Sequence, residues 1–308
     1  MMGTLAALRA LYGRIGPDWA RDGGAGRREM LEALVPVLDA SARCDGVVRE
    51  GTWSYGDDAR QVLDVYRRPG DGALPVLIFM HGGGYVRGDK DITPRVYANV
   101  ARWFAARGYL AVNMEYRLAP AAPYPAGAED LAAAVAWIRH EAHRFRADPG
   151  RIFLVGHSAG GTHVAHFALA ADFAGDARRH VLAAAILSGR LRADVLPANP
   201  NAEGVRAYFG DEADEHERRS PVNMVHAAAM PLFIAVAEHE NPLLDCYGAE
   251  FFMRLRACGN RRSQFMSMPR HNHLSIVAHF GSGEDLLGGL LCDFFARHGG
   301  LPAAAGHG

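Results

Sequence analysis

Apolar residues along this chain follow two periods, and the order in which the periods alternate predicts an architecture. Five short runs are almost continuously apolar: Val76 to Met80, Tyr109 to Met114, Ile152 to Val155, Val181 to Leu187 and Leu232 to Ala237. Runs of this kind suit strands buried on both faces of a parallel sheet. A last strand is predicted near Gln264 to Met268. Helical spacing covers Pro94 to Arg107, Gly127 to Phe145, Gly160 to Ala171, Leu243 to Cys258 and Leu286 to His298. Strands and helices alternating at this length predict an α/β fold, with a mostly parallel central sheet, helices on both faces and right-handed crossovers.

Three regions depart from the alternation. Val47 to Tyr55 and Gln61 to Arg67 predict two strands around the turn signal Gly56-Asp57-Asp58, an antiparallel start to the sheet. Before them, Met30, Leu31, Leu34, Val37 and Leu38 recur at helical spacing around Pro36, after the glycine-rich break from Asp22 to Gly26. Residues 1–45 therefore read as an N-terminal helical cap segment, and residues 46–308 as one main domain. Within that domain, residues 190–230 hold Pro197, Pro200, Pro221 and the charged run Asp211 to Arg219, with no clean strand, and read as a cap insertion.

Composition narrows the function classes. The 308 residues are 49% hydrophobic, with 33 basic against 34 acidic side chains, a balance that points to neither nucleic acid nor an anionic membrane as partner. The pairs Arg27-Arg28, Arg178-Arg179 and Arg261-Arg262 read as solvated surface. Cys44, Cys246, Cys258 and Cys292 are too widely spaced for a zinc site or a disulfide framework, so reduced thiols and a cytoplasmic location are expected. Met1 to Ile15 has arginines within its apolar stretch and is unlike a signal peptide. No uncharged apolar run reaches the roughly 20 residues that span a bilayer.

The candidate chemistry begins at Gly156-His157-Ser158-Ala159-Gly160, a G-x-S-x-G pattern with a strand predicted before it and a helix after it. In that context the serine occupies a sharp turn that lifts its hydroxyl above the carboxyl edge of the sheet. A serine hydroxyl is a weak nucleophile until a base, an orienting acid and oxyanion donors surround it. His81-Gly82-Gly83-Gly84-Tyr85 directly follows a strand, and the amides of Gly83 and Gly84, with that of Ala159, are candidate oxyanion donors. The phosphate-binding patterns G-x-x-x-x-G-K-[ST] and G-x-G-x-x-G are absent from this loop. His271 and His273 follow the last strand as candidate bases, with no carboxylate or cysteine cluster beside them to suggest a metal. His163 and His166, on one face of the helix after the serine, fit packing better than ligation. For the acid, Glu238, Glu240 and Asp245 compete, and spacing does not separate them.

His81-Gly82-Gly83-Gly84, Glu115 to Pro120, Tyr124 to Asp130, Gly156 to Gly161 and His271-Asn272-His273 occur in the order seen in α/β hydrolases. Over residues 45–300 the chain resembles carboxylesterases grouped with hormone-sensitive lipase, and the related feruloyl-esterase-like and kynurenine-formamidase-like enzymes. The resemblance implies a serine hydrolase in the chain order nucleophile, acid, histidine, with residues 46–308 as its catalytic domain. Two departures stand out: His157 and Asn241 occupy positions where hormone-sensitive-lipase relatives usually carry Asp. The feruloyl-esterase-like pattern fits Glu238-x-Glu240, which implies Glu240 as the acid with Asp245 in reserve, and its second histidine implies His273 as the base.

The expected chemistry is acyl transfer to water. Ser158 attacks, His273 takes its proton, Glu240 steadies the imidazolium, and Gly83, Gly84 and Ala159 hold the oxyanion, with no metal or organic cofactor. Tyr85, His157, Tyr208 and Phe209 are the expected pocket residues, favouring short-chain or aromatic acyl esters. An amidase or arylformamidase is the close alternative substrate class, and a non-catalytic binding protein on the same scaffold is the alternative of a different kind. The expected partner is a small-molecule ester or amide. Dimers are frequent among such relatives, which makes a homodimer the assembly to test.

Overall fold

The computed structural model describes residues 2–19, 24–70 and 72–300. Asp22 and Gly23 of the glycine-rich break lie outside the described residues. Eight strands form one sheet: β1 (Val48–Ser54), β2 (Val62–Arg67), β3 (Leu74–Met80), β4 (Leu110–Met114), β5 (Ala147–His157), β6 (Val181–Leu187), β7 (Leu232–His239) and β8 (Gln264–Asn272). Their spatial order is β1-β2-β4-β3-β5-β6-β7-β8. β1 pairs antiparallel with β2, and β2 antiparallel with β4; every later pairing is parallel.

Alternation along the strands splits the core into two layers. In β3, Val76, Ile78 and Met80 point to one face while Leu77 and Phe79 point to the other, and all five are fully buried. The first face is covered by the helices Ala126–Phe145, Ala159–Leu169 and Leu244–Ala257. The second is covered by Ala98–Ala105 and Leu286–Gly299 and by the N-terminal helices Met2–Ile15 and Ala25–Asp39. In Ala126–Phe145 the buried stripe Leu131, Ala134, Val135, Ile138, Ala142 and Phe145 repeats every three or four residues, the spacing of one helical face. Each large apolar side chain buried in this way contributes about 1.5–3 kcal/mol.

The helix expected over 94–107 is shorter, Ala98–Ala105. Residues before it turn instead: Thr93 Oγ1 accepts from the amides of Arg95 and Val96, and Tyr97 takes a left-handed φ of 81°. Asn99 fixes that turn, accepting from the Tyr97 amide and donating to the carbonyls of Val277, Ala278 and Phe280. β8 runs on to Asn272, beyond the expected Met268, and so carries the two histidines to the edge where Ser158 lies.

Residues 190–230 hold the helices Ala202–Phe209 and Ala213–Arg219 and no strand. The N-terminal segment is pinned to the far end of the chain. Arg9 pairs with Glu284, Ser41 Oγ donates to the Gly281 carbonyl, and Arg43 pairs with Asp285. No described helix is long and apolar enough to cross a membrane.

Candidate active site

β5 ends at His157 and the helix Ala159–Leu169 begins one residue later, leaving Ser158 alone at the turn with φ 54° and ψ −120°. A side-chain-bearing residue holds that conformation only where its surroundings impose it. Here the Ser158 amide donates to the Leu187 carbonyl at 2.9 Å. The following helix comes in very close: a Cβ on Gly160 would stand 2.3 Å from the Met80 carbonyl oxygen and 2.5 Å from that of His81. Glycine is what the close approach requires.

His273 stands between serine and carboxylate. Its Nε2 lies 3.0 Å from Ser158 Oγ and its Nδ1 2.7 Å from Glu240 Oε2. A carboxylate only accepts, so Nδ1 carries the ring proton and Nε2 is left to accept from the serine hydroxyl. Glu240 is itself held: Oε1 accepts from the Ala237 amide at 2.8 Å and from Ser188 Oγ. The His273 amide donates to the His239 carbonyl at 3.1 Å. The other candidates lie elsewhere. Asp245 is exposed at the start of its helix, and Glu238 is exposed and accepts from the Arg270 amide. His271 turns away, with Nδ1 3.0 Å from Ser275 Oγ and its ring against Tyr12 and His279.

A second set of bonds reaches the base through its backbone. His157 Nε2 donates to the His273 carbonyl at 2.7 Å, so its Nδ1 is unprotonated and accepts from Tyr97 Oη at 2.9 Å. Tyr97 Oη in turn accepts from the Gly82 amide at 3.2 Å. Burial, and then the charge of nearby His273, holds the His157 pKa well below the usual histidine range, and burial pushes the Tyr97 hydroxyl up to about 12. Both therefore remain neutral in their roles as links.

The glycine loop is braced from behind. His81 stacks on Tyr116 at 4.4 Å between centroids, and its Nε2 lies 3.3 Å from Glu115 Oε2. Glu115 also accepts from Arg60 and from the Lys90 amide. Burial works against its charge, but the bond to His81 and these other donors outweigh burial and bring its pKa down to about 2. With Tyr97 engaging the Gly82 amide, the loop presents Gly83 and Gly84 to the cleft beside Ser158. The Ala159 amide, at the first position of its helix, has no intrahelical acceptor.

Comparison with known proteins finds esterases. The BD-FAE family model matches residues 63–185, a span from β2 into β6 that includes the glycine loop and Ser158. Esterase LipC of Mycobacterium tuberculosis is 40% identical over 109 residues, 35% of this chain and 26% of LipC. Esterase LipQ of the same organism is 28% identical over 246 residues, 71% of this chain and 55% of LipQ. The chain thus spans about a quarter of LipC and about half of LipQ. Among solved structures, an esterase from the archaeon Pyrobaculum calidifontis superposes with TM-score 0.69 at 20% identity, covering 95% of this chain and 98% of that one. Esterase B from Lactobacillus rhamnosis gives TM-score 0.73 at 17% identity, covering 96% and 97%. The chain has the α/β-hydrolase fold of these esterases.

The cleft at this site has a volume of about 510 Å³ and is lined by Ser158, His273 and His157. Its walls come from both irregular regions, Trp19 and Arg27 from the N-terminal segment and Pro200 and Asn201 from residues 190–230. Three expected pocket residues are not among those lining it. Tyr85, Tyr208 and Phe209 are almost fully buried in an aromatic block, with Tyr85 and Tyr208 stacked at 4.9 Å and Tyr85 Oη bonded to Thr162. Their rings satisfy one another, which leaves the cleft wall to smaller and more polar residues. His163 fits into the same block against Tyr85, Tyr116 and Tyr208, and His166 donates to the Arg219 carbonyl. Arg27, read from sequence as solvated surface, is exposed and also lines the cleft. Tyr97, Ser188 and Arg87 carried no motif that marked them. Only the turn after β3, continuing to Gly88, hinted that Arg87 belongs to the glycine loop.

Proposed function

We propose that this protein is a serine carboxylesterase that works through an acyl-enzyme. The observation that carries the reading is the continuous chain from Ser158 Oγ through His273 to Glu240, at 3.0 and 2.7 Å. Ser158 attacks the ester carbonyl as its proton passes to His273 Nε2; the imidazolium keeps its Nδ1 proton shared with Glu240. The amides of Gly83, Gly84 and Ala159 receive the oxyanion, and His273 returns the proton to the departing alcohol. Water then repeats the sequence on the acyl-Ser158 ester and releases the acid. The N-terminal segment and residues 190–230 act together as the cap over this cleft.

The printed names of the relatives support an ester as substrate, LipC and LipQ both being esterases. The aromatic block beside the glycine loop supports a short acyl chain, since it fills space that a long chain would need. The test is exposure of the folded protein to a fluorophosphonate with peptide mapping, followed by 4-nitrophenyl esters from acetate to decanoate. A single adduct at Ser158 and turnover falling beyond about six carbons are expected. Ser158→Ala is expected to remove turnover, and normal activity in that variant would overturn the reading.

A further inference from the structure

Among the described residues, the cleft is electrostatically one-sided. Its described lining residues include Arg27 and Arg87 and no aspartate or glutamate. Arg27 projects from the helix Ala25–Asp39, is exposed, and makes no ion pair among the described residues. Its charge is felt at Tyr97 and His157, both on the cleft wall next to Ser158. Arg87 belongs to the glycine loop itself, its amide donating to the Gly83 carbonyl at 3.3 Å. Its Nη2 donates to Asn201 Oδ1 at 2.9 Å, a neutral partner that orients the guanidinium and leaves its charge uncompensated. The carboxylate of the triad, Glu240, lies behind His273 with both oxygens already engaged.

This positive field is local, because the whole chain carries 33 basic against 34 acidic side chains. Two guanidiniums brought to one concave space repel one another and gain from an anion placed between them; low-dielectric walls focus the effect. Guanidinium also matches carboxylate geometry through paired N–H donors. We propose that the substrate is an ester bearing a carboxylate, which Arg27 and Arg87 hold while its carbonyl lies over Ser158. This inference rests on the serine-esterase reading. It makes the two arginines specificity determinants, on the N-terminal segment and the glycine loop respectively.

Two matched pairs of esters test it, each rate normalised to its hydroxide-catalysed hydrolysis. 4-Nitrophenyl hemisuccinate against 4-nitrophenyl butyrate places the charge on the acyl side; 4-acetoxybenzoate against its methyl ester places it on the alcohol side. In at least one pair, kcat/KM is expected to favour the anionic member about tenfold, mainly through KM. Raising ionic strength should shrink that ratio. The double variant Arg27→Ala, Arg87→Ala should bring the ratio close to one, and Arg27→Lys, Arg87→Lys should retain most of it. The pair that responds identifies the charged side of the substrate. Turnover of neutral esters with no anionic preference in either pair, or a preference that survives in the double alanine variant, overturns this inference alone. Absence of both ester turnover and a Ser158 adduct overturns the esterase reading and this inference with it.

Discussion

Glu240 and Asp245 are separated by five positions of sequence and by their whole environment. Glu240 has a side chain only 2% exposed and touches His273, whereas Asp245 faces solvent. Glu240→Gln replaces an acceptor with an amide that can donate, which favours the wrong ring tautomer, and should lower kcat by about 10³- to 10⁴-fold. Asp245→Asn should turn over close to wild type in the same 4-nitrophenyl acetate assay, and the opposite pattern would reassign the acid. Sequence brought the choice down to three carboxylates and, through resemblance, to Glu240. Spacing does not show that the chain after β7 doubles back so that Glu240 reaches the Ala237 amide. The two histidines teach the same lesson: residues two apart share a face in a strand, but β8 ends at Asn272, and His273 leaves the direction that His271 keeps.

At the scale of elements, the elbow depends on how closely the helix Ala159–Leu169 approaches the end of β3. Gly160→Ala would press a methyl group onto two backbone carbonyls, so about 1–3 kcal/mol of stability should be lost. The urea midpoint should fall with an unchanged m-value; an unaltered midpoint would show that the helix shifts without cost. The parallel strands and the long helices were legible because their burial is written as continuous or three-to-four-residue apolar spacing. The turn at residues 92–97 was not, since its sequence is compatible with helix. What stops the helix there is tertiary: Asn99 bonds to three carbonyls near residue 280, and Tyr97 is held at positive φ by partners far away in sequence. The aromatic block was misread for a related reason. Tyr85 follows the glycine loop and Tyr208 and Phe209 lie in the expected cap insertion, and only the packed arrangement shows that they face one another.

For the whole molecule, acid stability is set first by histidines. Burial is the leading cause that depresses five of them: His157 and His163 well below 6.5, His166 to about 4, His279 to about 3, and His298 below its usual value. Below 6.5 the unfolded chain takes up protons that these folded sites refuse. Their contribution is therefore complete above that value and drains as pH falls through it, each by up to about 1.4 kcal/mol per pH unit. Glu115 and Glu284, both lowered to about 2, add a further loss only below their unfolded value of 4.5. Denaturant midpoints should thus begin to drop near pH 6, well before the carboxylates titrate, and a flat profile down to pH 4.5 would contradict the buried-neutral histidines.

The ties from Ser41 to Gly281 and from Arg9 to Glu284 join residues 240 and 275 positions apart. A ribosome adding 5–20 residues per second needs roughly 12 to 50 s to bridge the shorter of those gaps. For that interval the N-terminal helices have no seat. The wall that carries Arg27 is completed only after residues 281 and 284 have been made, so a growing chain can build its nucleophile turn long before it can select what enters.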